Sequence, residues 1–247
     1  MGVAVNNAFD PAAYGAWFES SVGRRVWADE ERALLRVLQP EPGGRVLDAG
    51  CGDGRLLVSL ARRDLRVVGV DASVAMLRAA RDRARATGLP VHLVRAEVGA
   101  LPFADESFDT VAAVTVLCFV ADSGPALREM ARTVRRGGKL VIGELGRWSS
   151  WAVSRRLEGR LRGGPWRVAE FRSAPALKRL LRAAGLVPGR VRGAVFYPRS
   201  SPAARLLGPL DAMLGAITTV GAAFIAIAAD KPAASGAPLA GEDRSHG

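Results

Sequence analysis

Between Arg45 and Arg55 the chain reads RVLDAGCGDGR. A short apolar run, Val46-Leu47, ends in Asp48. Glycines follow at alternate positions, Gly50, Gly52 and Gly54, with Asp53 among them. Glycine is needed where the backbone takes a positive φ or where a ligand lies against it, so this stretch reads as a turn beneath a ligand. The dinucleotide fingerprint G-x-G-x-x-G/A is not met, because the sixth position from Gly50 is Arg55. Two acids beside a pyrophosphate would also repel it. The chemistry indicated is capture of a molecule with cationic groups and one carboxylate, the carboxylate held by the amide groups of the turn. An ordinary glycine-rich strand-to-helix turn is the alternative.

Other acids stand where an adenosine could be held. Asp71 ends a second apolar run about 20 residues on, the place from which a carboxylate takes both ribose hydroxyls. A helix-start acid favoured by the dipole is its plainer reading. Glu97, with the N–H of Val98, can meet an adenine edge, or else it is a solvated loop acid. Met76, one turn into the helix after Asp71, fits either the nucleoside wall or the core.

Strands alternating with helices must set these residues in place. Strand-like runs fall at 45–49, 66–70, 91–96, 108–116, 139–143, 187–197 and 221–229. Helical patterns fall at 29–38, 73–87, 125–134 and 173–184, with Ser73 and Ser173 as caps and Gly88 and Gly185 as stops. Such alternation implies a mostly parallel sheet with helices on both faces. Residues 1–44 form an N-terminal helical cap carrying Tyr14, Trp17, Phe18 and Trp27. The domain itself runs over 45–232, interrupted by a basic, aromatic insertion at 147–170 and an apolar one at 198–220. Residues 233–247 have the composition of a disordered tail.

The strings LDAGCGDG, VVGVDASVAML, ALPFADESFDTV and LREMARTVRRGGKLVIGE, in that order and spacing, resemble class I S-adenosylmethionine-dependent methyltransferases. Within these the chain is similar to the small-molecule branch that includes ubiquinone/menaquinone-type enzymes. The resemblance covers about residues 43–144 and implies a Rossmann-like seven-stranded sheet with the last strand antiparallel. It implies S-adenosylmethionine as cofactor, whose amine and sulfonium suit the acids. By the same resemblance Asp48, Gly50 and Gly52, with Cys51 between them, lie beneath the methionine moiety. Asp71 holds the ribose, Ala72 and Met76 line the nucleoside, Glu97 and Val98 meet adenine, and Val114 and Thr115 close the site. Glu97 departs from the commoner Asp. Cys118-Phe119 departs from a His pair after the fourth strand, which removes an obvious base.

The net charge of +11 invites a nucleic-acid reading, but all except three of the 35 basic residues are arginines scattered along helices. The Asn/Asp-Pro-Pro-aromatic motif of amino-methylating nucleic-acid enzymes is absent after the fourth strand, where the chain reads VTVLCFVAD. Neither Cys51 nor Cys118 has a neighbouring proline, so a cytosine-C5 nucleophile is not indicated. With His92 and His246 the only histidines, no metal set or hydrolase triad is formed. Two cysteines without a signal-like start predict reduced thiols and a cytoplasmic protein. The tract 202–229 is interrupted by Arg205, Pro209 and Asp211, so no transmembrane span is expected; membrane-surface contact stays open.

The expected partner is therefore a small, mainly hydrophobic or aromatic molecule. The expected mechanism is proximity without an enzyme base, Tyr14 shaping the transfer site or simply packing. The cap, the 147–170 insertion and the leucines of 198–220 are expected to converge over one pocket. A cofactor-binding or regulatory module without catalysis is the rival reading, and an RNA methyltransferase using the arginine-rich 147–170 insertion is a weaker one.

Overall fold

An apolar run with a polar or glycine-marked exit recurs five times between Arg45 and Leu145, and each run becomes a strand. In the computed structural model, which describes residues 10–199 and 201–233, these are β1 (Arg45–Ala49), β2 (Arg66–Asp71), β3 (His92–Arg95), β4 (Phe108–Val114) and β5 (Val134–Leu145). They pair in parallel. β6 (Val187–Ala194) and β7 (Phe224–Asp230) complete the sheet in the order β3-β2-β1-β4-β5-β7-β6. β7 runs antiparallel to both of its neighbours. The expected Rossmann-like, mostly parallel seven-stranded sheet with a reversed last strand is therefore what the chain forms. Its strand order reverses between β1 and β4, the place where such sheets open a crevice beyond their carboxyl ends.

Successive strand residues face opposite sides, so Val46 and Leu47 belong to two separate cores. Leu47, Val111 and Ile142 pack with Leu127 and Met130 of α5 (Ser123–Thr133) and with Leu177 and Leu181 of α7 (Ala174–Ala183). Val46, Ala112 and Val141 pack with Leu57 and Leu60 of α3 (Arg55–Ala61) and with Leu34 and Leu38 of α2 (Ser21–Leu38). α4 (Val74–Thr87) is capped by Ser73, whose hydroxyl accepts from Met76 N–H, and ends at the left-handed Gly88.

Several boundaries differ from expectation for local reasons. β4 stops at Val114 because Thr115 turns to φ +49°. β6 stops at Ala194: Val195 has φ +62°, and the Asp211 carboxylate accepts from the N–H groups of Val195 and Phe196 at 3.1 and 2.8 Å. β5 begins at Val134 instead of Lys139 and runs through Gly137-Gly138, with a register shift against β4 between Phe108 and Thr110. The helix expected from Asp29 begins at Ser21, because Ser20 both ends α1 (Pro11–Glu19) and caps α2 by accepting from Gly23 N–H. The tail expected at 233–247 lies, beyond Ala233, outside the described residues.

The 198–220 segment requires a correction. It forms α8 (Ser201–Ile217), but Leu206, Leu210, Met213 and Ile217 point to solvent, and Leu206 is 77% exposed. The inward face is made of Ala204, Gly208, Asp211 and Gly215. A Cβ on Gly215 would stand 2.0 Å from the Gly193 carbonyl oxygen, and one on Gly208 would meet Arg25. The helix lies too close to β6 and α2 for large side chains, so its small residues turn inward. Among the described residues no helix is long and apolar enough to cross a membrane.

This packing yields a stability test. Gly215→Val should drive α8 off β6 and cost ~1–3 kcal/mol, whereas Leu210→Ser should stay within ~0.5 kcal/mol. Urea unfolding of both variants checks the contrast; equal losses would contradict this view of α8.

Candidate functional site

Beyond the carboxyl ends of the strands lies a cavity of about 1080 Å³. The glycine turn forms its floor, and each of the three glycines there has a different reason. Gly50 has φ +80°, and a Cβ on it would strike Val116 at 2.5 Å. Gly54, φ +78°, lets the start of α3 approach Ala80 of α4. Gly52, φ +52°, has no atom of the described residues within 4 Å of where a Cβ would stand, its chain neighbours aside, so its outer side is surface against which a ligand can rest.

The acids around the turn have separate roles. Asp53 is neutralised by Arg83 at 2.7 Å and Arg55 at 3.0 Å. Asp48 is buried, and its Oδ2 has no hydrogen-bond partner among the described residues. Burial, reinforced by the Asp71 charge, pushes its pKa up to about 7. Asp71 accepts from Gly52 N–H at 2.9 Å and from Ser73 N–H at 2.8 Å, and so ties the turn to the end of β2. Burial raises its pKa while those N–H bonds oppose the shift. An orphaned buried carboxylate beside an open glycine turn is a donor set for a positively charged group that can pass between Asp48 and Asp71.

All twelve residues singled out from the sequence line this one cavity: Tyr14, Asp48, Gly50, Cys51, Gly52, Asp71, Ala72, Met76, Glu97, Val98, Val114 and Thr115. Met76 is both wall and core, only 8% exposed. Cys51 is buried and its thiol is pushed well above the ordinary range, so it contributes shape rather than a nucleophile. Thr115 carries a β-branched side chain at positive φ, its N–H held by the Gly143 carbonyl at 2.7 Å. Strain of this kind persists only where the surroundings enforce it, and it gathers at ligand sites.

The roof comes from the cap and from α6 (Ser150–Arg162). Tyr14, Trp17, Phe18 and Trp27 all reach the cavity as expected. Arg55 joins cap to floor: it lies 4.4 Å over the Phe18 ring and pairs with Glu19 at 3.2 Å as well as with Asp53. Of Arg147, Arg155, Arg156 and Arg160 in the basic insertion, only Arg155 lines this cavity. Arg147 and Arg156 border a separate groove beside α7, and Arg160 is exposed. Arg155 lies 4.2 Å from the Trp166 ring and 5.2 Å from Trp151. Trp151 donates its Nε1–H to the Tyr197 carbonyl at 2.7 Å, which locks α6 over the site. Of residues 198–220, Arg199 alone borders the cavity among the described residues, paired with Glu158 at 3.4 Å.

Glu30 was not found by sequence reasoning. It sits on α2 beside Asp29, and it lines the cavity. Burial raises its pKa to about 8, the Arg155 charge pulling it down and Asp29 pushing it up. Tyr14 feels the Glu30 charge as well and is itself shifted upward, chiefly by burial. The only sequence signal was position: Glu30 falls one residue after an acid on the inner face of an amphipathic helix.

The raised Glu30 pKa has a stability consequence. The folded state holds this proton more tightly than the unfolded chain, so wild-type stability falls relative to a neutral side chain as pH rises from about 4.5 to about 8. Glu30→Gln should match wild type near pH 4.5 and exceed it at pH 8.5 by ~1 kcal/mol or more, ~2–4 °C in Tm. Thermal unfolding at the two pH values checks this; a difference that does not grow with pH would exclude a buried charge.

Residues 47–142 match the family model described as "Methyltransferase domain". Methyltransferase GfsG of Streptomyces halstedii is 37% identical over 142 residues, 55% of this chain and 51% of that protein. A demethylmenaquinone methyltransferase of Mycobacterium marinum is 40% identical over 120 residues, 49% of this chain and 48% of that protein. The chain thus spans about half the length of these curated relatives. A solved S-adenosylmethionine-dependent methyltransferase of Thermotoga maritima, titled a possible histamine N-methyltransferase, superimposes with a TM-score of 0.72 at 28% identity, over 92% of this chain and 99% of that one. The floor residues Asp48 to Thr115 fall inside the matched segment, whereas Tyr14, Glu30, Arg155, Trp166 and Arg199 fall outside it. Residues 47–142 are thus a methyltransferase domain, and in motif order and sheet the chain is similar to S-adenosylmethionine-dependent methyltransferases.

Proposed function

We propose that this chain transfers a methyl group from S-adenosylmethionine to a small, largely apolar or aromatic molecule bound between the glycine turn and the cap. The observation that carries this reading is the continuity of one cavity. Its floor offers Asp48 and Asp71 to a cationic cofactor, and its roof offers aromatic side chains to an acceptor. The fit to the cofactor rests on the orphaned Asp48 Oδ2 and on the open surface at Gly52.

On this reading Asp48 and the turn hold the methionine end. Asp71 takes the ribose hydroxyls, Glu97 and Val98 border adenine, and Ala72 and Met76 line the nucleoside. When bound, the cofactor supplies an already activated methyl on sulfur. What remains for the protein is to hold an acceptor atom in line, close and away from water. Trp17, Phe119 and Trp166 exclude water on the acceptor side, while the Thr115 backbone shapes the passage between the halves. The cavity volume of about 1080 Å³ exceeds the upper range of ordinary ligand pockets, ~1,000 Å³, which suits cofactor and acceptor together.

The binding test uses S-adenosylhomocysteine in titration calorimetry. Asp71→Ala removes charge-assisted bonds worth ~1.5–3 kcal/mol, a roughly ten- to hundredfold weaker complex. Asp71→Asn, which still offers an acceptor to Gly52 N–H, should lose less. Unchanged affinity in a folded Asp71→Ala protein would overturn the ribose assignment. Transfer of labelled methyl into apolar phenols or amines tests the activity itself; tight cofactor binding without transfer to any of them would favour a binding module.

A further inference from the structure

The acceptor side of the cavity contains two opposite charges held apart. Glu30 of α2 and Arg155 of α6 both line it, and each is shifted by the other's charge. They do not form an ion pair, and among the described residues neither has a hydrogen-bond partner; the Arg155 Nε is buried without one. Two other acids on the same cavity are matched, Asp53 by Arg55 and Arg83, Glu158 by Arg199. Arg155 instead packs its guanidinium against the Trp166 and Trp151 rings, which orient its plane. Buried polar groups are nearly always paired, and an uncompensated buried charge is destabilising. A carboxylate and a guanidinium kept from closing on each other at a cavity wall are arranged to share a ligand atom.

That atom must satisfy both groups. An ammonium only donates, and Arg155 repels it. A carboxylate only accepts, and Glu30 repels it. A hydroxyl does both, donating to the carboxylate and accepting from the guanidinium. We propose that Glu30 and Arg155 form the acceptor subsite for a hydroxyl group, phenolic or enolic, carried on the apolar ring body that Trp17, Phe119 and Trp166 enclose. This rests on the methyl-transfer reading above and names the acceptor's reactive group. Burial supports the assignment from the proton side: Glu30 is pushed up to about 8, close to a working pH, while Arg155, lowered to about 10, stays cationic there. The same hydrogen bond lets Glu30 take the hydroxyl proton as the oxygen gains the methyl carbon. The methyl–sulfur bond breaks with its electron pair left on sulfur, and the proton leaves Glu30 to water afterwards.

The test uses calorimetric titration of the full chain saturated with S-adenosylhomocysteine. The probes are 2-naphthol, naphthalene and 2-(aminomethyl)naphthalene. Wild type should bind 2-naphthol at least ~10-fold more tightly than naphthalene. That preference, read as the ratio of the two affinities within each variant, should shrink to ~2-fold or less in both Glu30→Leu and Arg155→Met. Preference for the cationic probe, lost in Glu30→Leu alone, would overturn the proposal in favour of an amine acceptor. Equal or absent binding of naphthol and naphthalene by wild type would overturn it in favour of a purely structural pair. Failure of wild type to bind S-adenosylhomocysteine is a separate result and would remove the methyl-transfer reading itself.

Discussion

Negative charge left without a matching cation around one crevice is the constraint on which the rest depends. Asp48, Asp71 and Glu30 all approach the same cavity, and burial raises the proton affinity of each. Two other buried acids are matched by cations. Asp53 has two arginines, and Asp29 has Arg25, Arg32 and the Tyr197 hydroxyl. A chain with so many arginines had the means to pair the other three. Leaving them unpaired lowers stability, and it concentrates attraction for positive or hydrogen-donating ligand groups where water is scarce.

Backbone geometry makes that concentration possible. Asp71 cannot sit beside Asp48 unless the turn after β1 is held down, and the bonds from Gly52 N–H and Ser73 N–H to Asp71 do this. The carboxylate that would meet the ribose is thus also a structural clasp, so removal of its side chain loosens the floor as well as one ligand contact. On the other wall, Thr115 accepts a strained φ so that the chain can leave β4 sharply and pass beneath the cavity. Roof and floor are then joined by a stacked guanidinium, Arg55 on Phe18, while Arg155 on Trp166 ties the roof insertion to itself.

The floor was legible from sequence because its residues are local. The glycine turn and Asp71 each declare themselves within a few positions of a strand end, and the strand end fixes where they point. The roof was much less legible. Tyr14 and the three cap aromatics could be named as a group, but Glu30 looked like one more acid in an amphipathic helix. Arg155 looked like one of several insertion arginines until Trp151 and Trp166 singled it out. α8 was misjudged because large apolar residues were expected to turn inward. The close approach at Gly215 and Gly193 excludes them, and that approach is a tertiary fact with no local signature. The end of β6 was missed for the same reason, since Asp211, sixteen residues away from Val195, supplies the acceptor that stops it.

Consecutive residues on α2 show how the two halves are reconciled. Side chains one position apart on a helix point about 100° away from each other. Asp29 therefore turns toward the sheet and anchors α2 through Tyr197, whose carbonyl in turn receives Trp151 of α6. Glu30 turns toward the cavity on the same rigid turn of helix. With Leu34 and Leu38 buried one and two turns further on, its position is set by the core and not by a loop. The paired acid thereby determines where the unpaired one stands, and Tyr197 links it to the helix that carries Arg155. On the proposed reading the acceptor site is preorganised by folding, because the helices hold a carboxylate and a guanidinium apart in the cavity wall for as long as the core stays packed.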